Sequence, residues 1–120
     1  MSTGNTNVDI IVKTLDLKKA TDIKVLDVRN LTTLTDYFVI ATGNSNKQVQ
    51  ALSDHVEEEM AKIGKHIVNR EGYNFAEWIL LGYEDVIVHI FQEETREFYA
   101  LEHIWKDAPN VDIDELIIES

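Results

Sequence analysis

Residues 36–48 read DYFVIATGNSNKQ, a stretch that joins a strand pattern directly to a helix pattern. Its first half, residues 37–42, is a run of aromatic and β-branched side chains, which are typical of buried strands. In its second half Ser45 is followed three residues later by Gln48, the pattern of a capping box at a helix N-terminus. The stretch therefore predicts a buried strand, a turn at Gly43 and a helix that begins just after Ser45.

The predicted helix carries the clearest periodic pattern in the chain. An apolar stripe at spacings of three and four ends at Gly64, a residue type that commonly terminates helices. Upstream, the same spacing at residues 8–15 predicts a first helix with Asn7 as its N-cap, and residues 23–28 predict a strand. The members of the stripe before Gly64 are Val49, Leu52, Val56, Met60 and Ile63.

Downstream of the helix, the pattern returns to strands. Residues 66–69 predict a weak edge strand, whereas residues 78–81 and 86–91 predict two strong strands joined by a hairpin-length turn. We expect Thr95 to cap a third helix, with Phe98, Leu101 and Trp105 at helical spacing, that stops before Pro109. This order of elements predicts an α/β fold with a mixed sheet of about five strands and flanking helices.

The length of 120 residues is suited to a single domain. We expect residues 1–7 to form a flexible lead, residues 8–109 the domain and residues 110–120 an acidic C-terminal tail. No apolar run approaches the 18 or so residues of a membrane span, and the start lacks the basic and apolar features of a secretion signal. We therefore expect a cytoplasmic protein with no membrane partner.

The charge balance is strongly acidic, with 11 Lys and Arg against 22 Asp and Glu and a net charge of −11. Proteins bind DNA and RNA by neutralising phosphates with Lys and Arg, so this composition disfavours direct nucleic-acid binding. A basic protein surface is the expected partner. The chain has no cysteine, which excludes disulfides, thiolate metal sites and cysteine nucleophiles.

Three local features could carry chemistry, and each has a structural explanation. The turn at residues 42–45 could bind a phosphate at a helix N-terminus, but it lacks the repeated glycines and the Lys-Ser/Thr ending of a P-loop. His55 and Glu59 have ligand spacing on one helix face, but no third or fourth ligand lies nearby. His89 interrupts an apolar strand, either as a hydrogen-bonded core residue or as an exposed polar contact. No metal site or catalytic constellation is expected.

An ordered set of short motifs runs through the chain. They are DYFVIATGNS at 36–45, KQV at 47–49, EGY at 71–73, EWIL at 77–80, DVIVHIF at 85–91 and REFYALE at 96–102, followed by Trp105. Together they resemble the ribosomal silencing factor family, RsfS, over roughly residues 8–109. One departure is the turn at residues 82–85, GYED, where the family commonly has Asp-aromatic-Gly-Asp.

The resemblance implies a homodimeric protein with a nucleotidyltransferase-like fold, no catalysis and no cofactor. It implies a translation repressor that binds the large ribosomal subunit through ribosomal protein uL14 and sterically blocks association with the small subunit. The alternative is a nucleotide-binding protein or nucleotidyltransferase-like enzyme that uses the turn at Gly43. Such an enzyme would need carboxylates placed to hold Mg²⁺ beside the phosphate, and the sequence has no strand-borne pair of this kind.

The resemblance also implies partner-binding residues, which combine aromatic and acidic side chains. If the strand at Trp78 and the helix at Tyr99 pack side by side, they place an aromatic pair within a rim of carboxylates, as in an interface hot spot. Core burial of Trp78 is the alternative. The predicted partner-binding set is Glu77, Trp78, Ile79, Asp85, Tyr99 and Glu102.

Overall fold

The computed structural model describes residues 3–117, which form one mixed sheet with helices on its faces. The strands are β1 Thr21–Asp27, β2 Tyr37–Gly43, β3 Asn69–Glu71, β4 Trp78–Gly82 and β5 Val86–Gln92. The helices are α1 Thr6–Leu17, α2 Asn46–Lys62, α3 Glu93–Tyr99 and α4 Leu101–Ile104, followed by a 3-10 turn at Asp114–Leu116. The strand order is β1-β2-β5-β4-β3, with β2 and β5 parallel and the other pairs antiparallel. The predicted α/β fold with a five-stranded mixed sheet is confirmed.

Strand β2 lies inside the sheet, and all seven of its residues are buried. Val39 and Ala41 belong to the main core, which α1 and α2 cover. Phe38 and Ile40 face the opposite side and form a second cluster with Phe91 of β5. Both faces of β2 are thus covered, which explains its continuous rather than alternating apolar pattern.

The start of α2 agrees with the predicted capping box. The Ser45 hydroxyl accepts a hydrogen bond from the Gln48 backbone N–H at 3.1 Å. The Gln48 side-chain oxygen in turn accepts from the backbone N–H of Asn44. Helix α2 ends with Gly64 just beyond it at a φ of 77°, a left-handed conformation that glycine adopts without a Cβ clash. Both the start and the end of α2 were therefore predictable from the sequence.

The first helix begins earlier than predicted. The side chain of Asn5, not Asn7, accepts from the Val8 backbone N–H at 3.0 Å and caps α1. The lead predicted at residues 1–7 therefore overlaps α1, which begins at Thr6. The Thr3 backbone N–H and hydroxyl both donate to Asp9, at 2.8 and 2.7 Å, and residues 1 and 2 lie outside the described residues.

Two later elements also differ from the prediction. The edge strand lies at Asn69–Glu71 rather than at residues 66–69, because its register with β4 begins at Asn69 opposite Gly82. The third helix is two helices, broken at Ala100, whose φ of 49° and ψ of 50° are left-handed. Thr95 lies inside α3 and does not cap it.

The segment after Pro109 packs on the domain over its described part, where an acidic tail was predicted. The backbone N–H of Val111 donates to the Val25 carbonyl at 2.8 Å, and Asn110 forms an isolated bridge with Leu26. Ile113 and Leu116 are buried in the main core. The acidic residues of this segment alternate with apolar ones that the sheet and α1 cover, while residues 118–120 of the predicted tail lie outside the described residues.

The sheet has two unlike faces. Helices α1 and α2 cover one face of β1, β2, β4 and β5 and form the main core with it, while β3 at the edge is exposed. The other face is covered beside β1 and β2 by the chain around Trp105 and Ala108. Over β4, Trp78 and Leu80 on this second face are only half-buried. Among residues 3–117, no helix is long and apolar enough to cross a membrane.

Candidate partner-binding site

An aromatic cluster lies on the second face of the sheet, and it consists of Trp78, His89, Phe91, Phe98 and Tyr99. Trp78 in β4 lies directly opposite Phe91 in β5, and the two rings stack with centroids 4.9 Å apart. Tyr99, the last residue of α3, lies 4.8 Å from Trp78 between ring centroids, and Phe98 lies 5.1 Å from Tyr99. The predicted side-by-side packing of Trp78 and Tyr99 is present.

The cluster runs from the core to the surface. Phe91 is fully buried and Trp78 is half-buried, whereas Tyr99 is 46% exposed and Phe98 is 81% exposed. Ile104 in α4 is a further large apolar side chain that is mostly exposed. Phe98 was predicted to lie on one helix with Leu101 and Trp105, but the break at Ala100 separates it from them.

A buried arginine fixes the end of α3 that carries Tyr99. One terminal nitrogen of Arg96 donates to the Thr42 hydroxyl of β2 and to the Asp22 carbonyl of β1, both at 2.7 Å. Its Nε donates to the Glu102 carboxylate at 2.7 Å, across the break at Ala100. Arg96 therefore ties α3 to two strands and to α4, and it holds the backbone that presents the exposed rings.

Glu102 is a member of this network rather than a free surface acid. Besides Arg96, it contacts the Lys24 ammonium at 3.1 Å. The hydrogen bond from Arg96 lowers the pKa of Glu102 below its ordinary value, the Lys24 contact acts in the same direction, and partial burial opposes both. Glu102 was predicted to bind a partner, but its carboxylate is already paired within the chain.

The sequence left two alternatives for His89, a hydrogen-bonded core residue or an exposed polar contact. The structure shows the first. The Trp78 indole Nε1–H donates to His89 Nδ1 at 3.1 Å. Burial lowers the pKa of His89 to about 4, so its imidazole is neutral near pH 7. The pairing register of β4 and β5 could have predicted this contact. Trp78 pairs with Phe91, so His89 lies diagonally across the hairpin from Trp78.

Two other residues of the predicted partner-binding set lie elsewhere. Ile79 is 0% exposed and belongs to the main core, because adjacent residues of a strand point to opposite faces. Asp85 precedes β5, about 20 Å along the strand from Phe91 at the usual rise per residue. Its carboxylate accepts hydrogen bonds from the side chains of Asn5 and Asn7 at 2.9 and 3.0 Å, so it stabilises the start of α1. Glu77, by contrast, is exposed and directly precedes Trp78.

The turn at residues 42–45 is poorly suited to bind a phosphate. The backbone N–H groups of Asn44 and Gln48 are occupied by the capping side chains. Glu93 and Glu94 line the same depression and would repel an anion. Among the described residues, His55 and Glu59 included, no group of three histidine or acidic side chains is placed to hold a metal ion.

The fold and the site together describe an α/β protein with an acidic chain and an aromatic cluster that reaches the surface at Phe98 and Tyr99. The sequence profile of the family described as "Ribosomal silencing factor during starvation", RsfS, matches residues 2–120. The chain belongs to this ribosomal silencing factor family, which confirms the resemblance in its motifs.

Individual relatives agree with this assignment. The ribosomal silencing factor RsfS of Bacillus subtilis is 40% identical over 82% of this chain and 84% of its own length. A mouse protein named for mitochondrial assembly of the ribosomal large subunit is 31% identical over 82% of this chain and 45% of its own. A crystal structure of a protein from Chromobacterium violaceum superimposes with a TM-score of 0.83 at 34% identity, covering 88% of each chain.

Proposed function

We propose that this protein represses translation by binding the large ribosomal subunit through ribosomal protein uL14 and sterically blocking association with the small subunit. The observation that carries the proposal is the contact between half-buried Trp78 and exposed Tyr99 on a chain of net charge −11. The family is named for ribosome silencing, and the mouse relative is named for assembly of the ribosomal large subunit. Both names point to the ribosome.

The chemistry of the surface suits a basic protein partner. Aromatic side chains that are half-buried in the free protein lose little conformational freedom on binding, and they are enriched among interface hot spots. Glu77 and Glu97 are exposed beside Trp78 and Phe98 in sequence and would form the acidic rim. Such charges speed association with a basic surface and set its orientation.

The proposed mechanism is occupation of volume. The folded chain measures 33 × 33 × 30 Å. A rigid body of this size at the interface between the subunits prevents their contact without any chemical step. The proposal therefore includes no catalytic activity, no cofactor and a cytoplasmic site of action. It also includes a homodimer as the state of the free protein, as the family resemblance implies.

Co-sedimentation tests the proposal. Tagged full-length protein is added to a cell lysate whose subunits are separated on a sucrose gradient. We expect it to migrate with free large subunits and to be absent from joined ribosomes and from free small subunits. Trp78→Ala should be lost from the large-subunit fraction. Leu34→Ala, which truncates a side chain 79% exposed in the loop between β1 and β2, should remain there. Absence of the unsubstituted chain from large subunits would overturn the proposal.

A further inference from the structure

The two ring nitrogens of His89 differ in their hydrogen bonding. Its ring is 5% exposed, and its Nδ1 accepts from the Trp78 indole at 3.1 Å. Because a neutral imidazole carries one proton, an Nδ1 that accepts places the proton on Nε2. Among residues 3–117, the buried Nε2 has no hydrogen-bond partner.

Of the two imidazole nitrogens, Nδ1 is the one with a hydrogen-bond partner among the described residues. A buried donor without an acceptor is unfavourable, and a leucine of similar size at this position would avoid that penalty. The contact that needs a heteroatom is the one from Nδ1 to Trp78.

The neighbours of His89 fix the direction of this contact. The Phe38 ring lies edge-on at 5.0 Å between centroids, and the Phe91 ring lies nearly parallel at 6.2 Å. Both phenylalanines are buried, Phe38 on the neighbouring strand β2 and Phe91 two residues after His89 on β5. A ring held in this way presents its acceptor in one direction. Trp78, which is only half-buried, takes its orientation from that acceptor.

We propose that His89 is a positioning residue, whose Nδ1 holds the Trp78 indole beside Tyr99 in the orientation that binds the partner. This role rests on the proposed function of the aromatic cluster. An indole that is already held in one orientation loses no further rotational freedom when the complex forms. Removing the acceptor should therefore weaken large-subunit binding by about three- to tenfold, the range for ordering one side chain.

The test compares two substitutions in the full-length chain, of which leucine is close to histidine in volume and asparagine is smaller. Both remove the imidazole ring, but His89→Asn keeps an acceptor oxygen near the position of Nδ1, whereas His89→Leu keeps none. In ¹⁵N-labelled protein, we expect the Trp78 indole N–H of the Leu variant to shift and to exchange faster with water. The Asn variant should keep a Trp78 signal closer to that of the unsubstituted chain. The Trp105 indole is an internal reference for general loosening.

Large-subunit binding is measured on the same samples, with Trp78→Ala in parallel. The positioning role predicts that the Leu variant binds about three- to tenfold more weakly and that the Asn variant recovers most of this loss. Equal binding by the Leu variant and the unsubstituted chain, while Trp78→Ala loses binding, would overturn the positioning role alone. Normal binding by Trp78→Ala would overturn the proposed surface, and the positioning role with it.

A variant on the other side of the hydrogen bond keeps the test decisive if His89→Leu does not fold. Trp78→Phe keeps an aromatic ring but removes the indole donor. His89→Phe, a second substitution that keeps a ring but no acceptor, then replaces His89→Leu, and beside an intact Trp78 it should bind the large subunit about three- to tenfold more weakly. Beside Trp78→Phe there is no indole donor to orient, so we expect His89 and His89→Phe to bind alike. A difference between them as large as in the unsubstituted background would show that His89 acts without Trp78 and would overturn the proposal.

Discussion

Tyr99 lies 4.8 Å from Trp78 at the very end of α3, because the next residue, Ala100, is left-handed and ends the helix. A continuous helix would carry the chain onward in the direction of α3. The break instead starts a new helix at Leu101 and leaves Phe98 and Tyr99 at the edge of the sheet face. Arg96 spans the break through Glu102. The exposed half of the aromatic cluster is thus a product of one backbone turn and one buried side chain.

Truncation of the exposed ring should affect binding rather than folding. Tyr99→Ala removes a ring that is 46% exposed, so we expect a cooperative thermal transition close to that of the unsubstituted chain. Large-subunit affinity should fall by about 2 kcal/mol, or about 30-fold, as is typical of a hot spot. Thermal denaturation and quantitative pelleting with large subunits measure the two effects. A folded Tyr99→Ala variant with normal affinity would exclude Tyr99 from the interface.

The network around Arg96 should contribute unequally to stability. Arg96→Ala leaves the Glu102 carboxylate and the Thr42 hydroxyl without their buried partner, and we expect a loss of about 2 to 4 kcal/mol. Lys24→Ala removes an exposed contact to the same carboxylate and should cost less than about 1 kcal/mol. Urea denaturation of both variants makes the comparison. Similar losses would mean that the tie from α3 to the strands is not what stabilises this region.

Stability should depend on pH through His89. Its pKa is about 4 in the folded chain, against an ordinary value of 6.5, because burial disfavours the charged form. The unfolded chain therefore takes up the proton first, and the free energy of unfolding falls as the pH drops from 6.5 towards 4. Between neutral pH and about pH 4.5, the unsubstituted chain should lose about 2 to 3 kcal/mol more than His89→Asn. Parallel urea titrations with equal losses in the two proteins would contradict this.

Much of the fold was predictable because local signals and burial agree in its central elements. β2 reads as a buried strand, and Ser45 and Gln48 mark the start of α2 by side chains that bond only a few residues away. The break at Ala100 has no such signal, since a left-handed alanine is set by tertiary bonds from Arg96 to β1 and β2. In the site, too, features that depend on tertiary contacts have no local sequence signal. Trp78 and Tyr99 could be paired from their motifs, and the alternation of side chains along a strand could have placed Ile79 on the opposite face from Trp78. The role of Asp85 could not be predicted in this way, because it depends on long-range contacts with Asn5 and Asn7.

Association with the partner should depend on salt and on the position of charge. The Debye length shortens from about 10 Å at 0.1 M to about 3 Å at 1 M, so binding of an acidic chain to a basic protein should weaken as potassium chloride is raised at constant magnesium. Glu77→Lys should slow association more than Asp112→Lys, an equal charge change at an exposed position after Pro109. Stopped-flow association rates compare the two variants. Equal rates would place Glu77 outside the acidic rim.

Inhibition of subunit joining tests the central claim most directly. Purified large and small subunits are mixed in nucleotide-free buffer, and light scattering follows the formation of joined ribosomes with increasing amounts of the protein. We predict that the unsubstituted chain and Leu34→Ala inhibit joining as they saturate large subunits, whereas Trp78→Ala requires a concentration about 30-fold higher. Joining that proceeds normally on large subunits saturated with the protein, or inhibition that appears only when a nucleotide is added, would contradict steric silencing.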